Sequence, residues 1–231
     1  MSPGGVLEAA ADRRKTLVLY AREPGDVAER FAARNVDVTF RELPAGGPRP
    51  FVTVRDDDGF RGAVTVETLE DVLAQPGAGS RSRDGVSPAF GALLELLDDT
   101  VFASLSRRQL LATTREFEDR AFRAGAGVLH AGFQTTEEFE EQRATYRRLA
   151  DATDLDVHVH VDAPGLDAPG ITVHPDSEYA AGYWFLAFRG AGDTQCALVA
   201  RKTGENDFEG AWTYDPALVA RVIDDLRRAS E

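Results

Sequence analysis

The sequence predicts an α/β (α+β) protein whose larger part is a mostly antiparallel mixed sheet with flanking helices. Short runs of alternating polarity, such as LDVHVHV from Leu155 to Val161, are typical of strands. Longer segments have apolar residues at helical spacing, each preceded by a capping residue. The turns between successive C-terminal strands are short enough for hairpins, which favours antiparallel pairing.

The first third of the chain is predicted to form a small β-α-β-β-β-α unit. The proline before its third strand, the hairpin and the last helix resemble a trimmed thioredoxin or glutaredoxin unit. No Cys-x-x-Cys follows the first strand, so such a unit would be inactive in redox chemistry. The alternative is a small α/β unit of no special descent. The predicted elements are a strand over 16–20, a helix over 26–34, strands over 36–40, 51–55 and 60–66, and a helix over 65–74.

A segment rich in Gly, Ser and Arg, QPGAGSRSRDGVS from Gln75 to Ser87, is typical of a flexible linker. It has no apolar period and follows directly on the last helix of the small unit. We therefore predict a small N-terminal α/β domain over 1–76, a linker over 77–87 and a second domain over 88–231.

The second domain has strong helix-start signals. Ser87-Pro88 is an N-cap followed by a first-turn proline, and Ser106 with Gln109 forms a capping-box pattern. Thr135 or Thr136 caps the next helix, and Asp215-Pro216 caps the last one. We expect these helices to lie against one face of the sheet. The predicted strands cover 128–133, 155–161, 171–174, 183–188, 195–201 and 208–214.

The charge of the chain restricts its function. The 231 residues carry a formal net charge of −13, and the only lysines are Lys15 and Lys202. Surplus carboxylate with few lysines is what we expect in a salt-rich cytoplasm, where ions screen self-repulsion. The alternative is an ordinary acidic protein from a GC-rich genome, because high GC content also favours Arg over Lys.

Several function classes are disfavoured by composition. An acidic chain lacks the basic face that direct binding to nucleic acid or anionic lipid requires. No stretch is apolar enough to span a bilayer and no signal-peptide core is present, so we expect a soluble, cytoplasmic protein. The single Cys196 excludes an intrachain disulfide and a cysteine-based zinc site. No residue pattern identifies a cofactor.

Two of the four histidines, His158 and His160, lie two residues apart on a predicted strand and therefore point the same way. They could begin a metal site, or serve an enzyme, with further ligands from His130, His174 or Asp156. The interpretation that we favour is the polar face of a half-exposed strand, because alternation alone explains the spacing.

Two further groups of residues are candidates for sensing a ligand. Arg115 and Glu118 lie on a highly charged helix, which is typical of a solvated, ion-paired face but could also project toward a pocket. Trp184 and Trp212, the only tryptophans, could stack a flat ligand such as a nucleotide or chromophore. They could equally belong to the core, which we favour because aromatic side chains dominate sheet packing.

Four segments together resemble the DICT domain, a sensory module found beside diguanylate cyclases and in two-component systems. The segments are RRQLLATTREFEDRA (107–121), HAGFQ (130–134), CALVA (196–200) and WTYDP (212–216), and the resemblance covers about Leu93 to Leu226. It implies a non-catalytic signal-input or adaptor protein that binds a small molecule or a signalling protein, as a possible homo-oligomer.

No GGDEF, EAL, kinase or helix-turn-helix output pattern accompanies these segments, so the resemblance implies a stand-alone member of haloarchaeal type. The alternative function is a histidine-based metal-binding protein or enzyme that uses His158 and His160. The residues that we expect to sense the ligand or signal are Arg115, Glu118, His130, Phe133, Gln134, Trp184, Phe188, Trp212 and Tyr214.

Overall fold

The computed structural model contains two β-sheets with flanking helices, which confirms the predicted α+β class. The structure describes residues 3–25, 35–74, 88–162, 165–175, 177–192, 194–204 and 206–229. The helix predicted over 26–34 and the linker predicted over 77–87 lie outside the described residues.

The small sheet has four strands in the order β2-β1-β3-β4. β1 and β2 are parallel, whereas β3 is antiparallel to both β1 and β4. Helix α2 (Val66–Ala74) follows β4, as predicted. This order is compatible with a thioredoxin-like unit, which stays a prediction. The strands are β1 (Lys15–Ala21), β2 (Val36–Glu42), β3 (Phe51–Asp56) and β4 (Gly59–Thr65).

The large sheet has seven strands in the order β5-β11-β10-β9-β6-β7-β8. The pairs β6–β7 and β7–β8 are parallel and the other four pairs are antiparallel, so the prediction of a mostly antiparallel mixed sheet is confirmed. The strands are β5 (Phe102–Ser106), β6 (Ala126–Phe133), β7 (Asp154–Val161), β8 (Thr172–His174), β9 (Tyr183–Arg189), β10 (Gln195–Lys202) and β11 (Asp207–Thr213).

Capping residues account for the ends of several helices, although the helices Pro3–Ala11 and Glu178–Gly182 were not predicted. Ser106 and Gln109 form a complete capping box at the start of α4. That helix ends at Gly125, whose φ of 72° suits glycine. Asp215 caps α7 by accepting hydrogen bonds from the backbone N–H groups of residues 217 and 218. The helices are α1 (Pro3–Ala11), α3 (Pro88–Leu96), α4 (Arg107–Ala124), α5 (Thr136–Ala152), α6 (Glu178–Gly182) and α7 (Pro216–Arg228).

Helices cover both faces of the large sheet, so the prediction of helices on one face is wrong. α4 and α5 pack on one face, and α1, α6 and α7 pack on the other. The strand β10 shows why. Cys196, Leu198 and Ala200 belong to the first core, whereas Ala197 and Val199 belong to the second. A continuous apolar run such as CALVA is typical of a strand buried on both faces.

The small sheet joins the core beside α3, which contacts β4. Its buried residues Leu17, Leu19, Val52 and Val54 belong to the same apolar cluster as Leu93 of α3. The N-terminal helix α1 instead packs against α7 and the opposite face of the large sheet. The division into separate domains over 1–76 and 88–231 stays a prediction.

The buried side chain of Asn35 ties these parts together. Its amide nitrogen lies 2.9 Å, 2.7 Å and 2.7 Å from the carbonyl oxygens of Ala10, Arg13 and Asp99, and its oxygen accepts a hydrogen bond of 2.9 Å from the Val101 N–H. A buried amide with such partners holds these chain segments together, because it hydrogen-bonds to backbone groups from two of them at once.

Candidate functional site

A cavity of about 270 Å³ lies between α4, α5, the carboxyl end of β6 and the start of β9. We refer to it as the α4–α5 pocket. Aromatic and aliphatic side chains alternate with charged and amide groups around it. The lining residues are Arg107, Leu111, Thr114, Arg115, Glu118, Gly132, Phe133, Gln134, Glu138, Glu141, Gln142, Tyr146, Trp184 and Phe185.

Helical periodicity brings these side chains together. The α4 residues at 107, 111, 114, 115 and 118 follow i, i+4, i+7, i+8 and i+11 spacing, which forms a single stripe. The α5 residues at 138, 141, 142 and 146 form a second stripe by the same rule. The two stripes face each other across the end of β6, where the chain turns at Gln134 before Thr135 caps α5.

Trp184 is held in a defined orientation at one wall. Its indole N–H donates to the Thr114 hydroxyl at 3.1 Å, and the Arg107 guanidinium lies 5.5 Å from its ring centroid. Arg107 in turn donates to Glu138 at 2.9 Å, and the other oxygen of that carboxylate accepts the Gln134 backbone N–H at 3.2 Å. These contacts fix the side-chain rotamers of this wall, and Glu138 neutralises the charge of Arg107.

Glu118 is the buried acid of the pocket. Its side chain accepts a hydrogen bond from the Tyr146 hydroxyl and lies near the positive charge of Arg115. Burial raises the pKa of Glu118 to about 7, against the lowering by Tyr146 and Arg115. The carboxyl therefore changes charge near neutral pH.

The interpretation of α4 as a solvated face is wrong for Glu116 and Glu118, although Arg123 pairs with Glu116 and Asp119 as expected. Both Glu116 and Glu118 are buried, and burial raises the pKa of each. The physical reason is coverage by neighbouring helices, since Gly91 of α3 lies against Glu116 and Tyr146 of α5 lies against Glu118. The local sequence shows the charged residues but not the helices, distant in the chain, that bury them.

Five of the nine predicted sensing residues line the pocket, and four lie elsewhere. The lining five are Arg115, Glu118, Phe133, Gln134 and Trp184. Sequence reasoning missed Arg107, Thr114, Glu138 and Tyr146, although the polar stripes of α4 and α5 carry a helical spacing that could have indicated them.

The aromatic candidates outside the pocket have structural environments. Phe188 is fully buried in the core. Trp212 stacks on Phe102 at a centroid distance of 5.1 Å and donates its indole N–H to the Leu94 carbonyl at 2.8 Å. Trp212 therefore belongs to the core, as favoured, and does not share a ligand space with the tryptophan of the pocket.

Tyr214 borders a second cavity, of about 640 Å³, at the junction of the two sheets. The Arg120 guanidinium lies 4.6 Å from its ring centroid. Most of the charges around this cavity pair with one another. The pairs include Arg13 with Asp99 at 2.6 Å and Lys15 with Asp98 at 2.6 Å. These ion pairs join the two sheets, and six aspartates against four basic residues leave the lining with a net negative charge.

All four histidines of the chain lie together on the face of the large sheet that is covered by α6 and α7. His130 and His158 are cross-strand partners whose rings stack at 4.4 Å, and His160 and His174 stack at 4.5 Å. The Nδ1 atom of His130 lies 2.9 Å from Nε2 of His160, and the Nδ1 atom of His158 lies 2.9 Å from Nε2 of His174. We refer to these four residues as the histidine cluster.

The strand that carries His158 and His160 is not half-exposed along its length. His160 is only 1% exposed, because α6 and the Phe185 ring cover this part of the face. The ring nitrogens of His130 and His160 lie within hydrogen-bond distance of each other, and so do those of His158 and His174. Within the part of the chain that the structure describes, no group of three or more His, Cys, Asp or Glu is arranged to hold a metal ion. The metal-binding alternative therefore has no geometric support among these residues.

Gly132 and the ring of Phe185 lie between the pocket and the histidine cluster. A Cβ atom at this position would lie 2.2 Å from the Phe185 ring, so only glycine leaves room for that ring. The ring of Phe185 also packs edge-on against His160 at 5.5 Å. Phe185 thus borders the pocket and contacts the histidine cluster.

The α4–α5 pocket thus combines aromatic walls with a few fixed polar groups on an α+β scaffold. Residues 91–203 match the family model DICT, described as "Sensory domain in DIguanylate Cyclases and Two-component system". Residues 91–203 therefore form a DICT domain, which contains every residue of the α4–α5 pocket.

Other comparisons are less informative. No curated protein matches the chain. Among solved structures, the crystal structure of polyphosphate kinase from Porphyromonas gingivalis is similar with a TM-score of 0.39 and 12% sequence identity. That alignment covers 99% of this chain and 48% of the kinase chain, so this chain spans about half the length of that protein. In the described part of the chain, no helix is both long and apolar enough to cross a membrane.

Proposed function

We propose that this protein is a non-catalytic signal-input protein that binds a small-molecule ligand in the α4–α5 pocket. The observation that carries the proposal is the position of the pocket. It lies wholly inside the segment that matches a sensory family, and two of the segments that carry the resemblance, 107–121 and 130–134, supply most of α4 and the β6 end around it.

The construction of the pocket supports binding rather than structural filling. Phe133 and Trp184 are only half-buried, although both belong to the aromatic wall of an otherwise close-packed core. Exposed aromatic surface in a concave site is what a ligand covers. Occupancy would then shift a conformational equilibrium, and the shift would pass to a separate signalling protein.

The first experiment tests whether a small molecule co-purifies with the protein. We would purify it at high salt, denature it and identify released small molecules by mass spectrometry. Gln142→Trp places an indole in the pocket, and Arg147→Trp, at an exposed position of the same helix, is the matched control. We expect one molecule at near-equal stoichiometry from the natural protein and from Arg147→Trp, and little from Gln142→Trp.

Two results would contradict the proposal in different ways. Retention of the same molecule by Gln142→Trp would place the ligand outside the α4–α5 pocket. A protein that is empty from its own host would instead favour an adaptor whose input is another macromolecule, to be identified by pull-down.

We also propose that the protein works at high salt. The proposal rests on the net charge of −13 and on the presence of only two lysines among 26 basic residues.

A further inference from the structure

The α4–α5 pocket presents one guanidinium that its neighbours leave available. Arg107 is neutralised by Glu138 and lies against Trp184. Arg115 is exposed, lines the same pocket, and makes no hydrogen bond with the described residues, although it lies near enough to Glu118 to lower that residue's pKa. A planar guanidinium presents two parallel N–H groups that match a carboxylate or a phosphate.

The acids of the pocket do not repel an anion as strongly as their number suggests. Glu138 is held by Arg107 at 2.9 Å, and Glu141 is exposed at the rim. Glu118 accepts the Tyr146 hydrogen bond, and burial raises its pKa to about 7, so this carboxyl can take up a proton and donate a hydrogen bond to an anion. The deepest acid therefore adapts to a negative ligand.

The remaining surface is suited to a flat ring. Trp184 and Phe133 provide half-buried aromatic surface, and Leu111 adds an aliphatic contact. The volume of about 270 Å³ lies just below the range of roughly 300–1,000 Å³ that is usual for drug-sized ligands. A ligand of one ring or two fused rings fits this space.

Resting on the proposed function, we infer that the ligand is a small aromatic anion whose ring lies against Trp184 and Phe133 and whose carboxylate or phosphate is bound by Arg115. The two anionic groups share the same guanidinium chemistry and are separated by experiment.

The two tryptophans of the chain provide the assay. Protein labelled with 5-fluorotryptophan gives one fluorine resonance from Trp184 in the pocket and one from Trp212 in the core, and Trp184→Phe assigns them. The probes are indole-3-acetate, phenyl phosphate, the neutral amide indole-3-acetamide and the cation tryptamine. Each is titrated at constant high salt while both resonances are followed.

We expect indole-3-acetate or phenyl phosphate to move the Trp184 resonance and to leave the Trp212 resonance in place. Indole-3-acetate should bind roughly tenfold or more tightly than its amide, because a charge-assisted hydrogen bond is lost in the amide. Arg115→Gln should remove this difference, whereas Arg108→Gln, at an exposed position of the same helix outside the pocket, should preserve it.

Phenylacetate is the ring-matched control for phenyl phosphate, and the tighter binder of these two identifies carboxylate or phosphate as the bound group. Equal or tighter binding of the amide or of tryptamine would overturn the ligand class while leaving a ligand pocket in place. Failure of all these compounds to move the Trp184 resonance would also overturn the ligand class. The proposed function is judged separately, by whether Gln142→Trp loses the molecule that the natural protein carries.

Discussion

Acid should destabilise this protein through the histidine cluster. His130 and His160 are each only 1% exposed. Burial first, and then the neighbouring histidines, lower the pKa of His130 to about 2 and that of His160 to about 3. Asp156 lies 3.0 Å from the His158 ring, and the charge of Arg227 further lowers the pKa of His130.

The direction of this pH effect on the free energy of unfolding follows from proton uptake. A histidine whose pKa is lowered on folding binds fewer protons in the folded state than in the unfolded state, so its contribution to stability is complete above the unfolded pKa of 6.5. That contribution is lost as the pH falls below this value. Between about pH 7 and about pH 5, each of the two rings removes roughly 2 kcal/mol from the free energy of unfolding, or about 4 kcal/mol together.

Glu118 acts in the opposite direction. Its pKa is raised from 4.5 to about 7, so the folded state binds more protons and gains stability as the pH falls toward 4.5. Over the same interval, from about pH 7 to about pH 5, this gain is roughly 2 kcal/mol. Burial also raises the pKa values of Asp99 and Glu116, so only a comparison between variants isolates the histidines.

The assay is urea unfolding at both pH values and constant high KCl. It compares the natural protein with Glu118→Gln and with the double variant His130→Asn, His160→Asn. Relative to the natural protein, acidification should lower the unfolding free energy of Glu118→Gln by about 2 kcal/mol more, and that of the double variant by about 4 kcal/mol less. An unchanged pH response in a double variant that retains native circular dichroism would refute the reasoning.

Four further outcomes are expected. Asn35→Ala should lower the free energy of unfolding by about 2–4 kcal/mol in urea titrations, because it leaves several buried backbone groups without partners, while a loss below about 0.5 kcal/mol would contradict this. Gly132→Ala should cost about 1–3 kcal/mol in the same assay, since its methyl group would collide with the Phe185 ring; an unchanged midpoint would show that the ring moves freely. Cys196, fully buried and with its thiol pKa raised by burial, should react with a thiol reagent only after unfolding, and fast labelling of the native protein would count against the described core. Transfer from molar KCl to dilute buffer should lower the thermal midpoint, and an undiminished midpoint would count against adaptation to salt.

Features encoded by neighbours in the sequence were predictable. The capping box at Ser106 and Gln109 was predicted and is present, because its donors and acceptors are three residues apart. Six of the seven strands of the large sheet followed from alternation and apolar runs, but β5 (Phe102–Ser106) was not predicted. Glu118 and Trp184 were named as sensing residues from a charged helix and a rare aromatic residue, and both line the α4–α5 pocket.

The position of the helices required the three-dimensional structure. The charged stripe of α4 was expected to face solvent, yet Glu116 and Glu118 are covered by α3 and α5. Helical spacing predicts which side chains share a stripe, but it does not predict which helix or strand from elsewhere in the chain packs against that stripe. Burial raises the pKa of Glu118, and a hydrogen bond from Tyr146, which lies on another helix, lowers it.

The sequence by itself therefore determined the fold class, the helix caps, the family and five residues of the pocket, because each of these depends on local spacing or on recognisable segments. Only the tertiary structure decided that helices cover both faces of the large sheet and that the four histidines form one cluster. Strand order brings His130, His158 and His174 together from three separate strands. Their burial, and hence their resistance to protonation, depends on contacts between residues that are far apart in the chain.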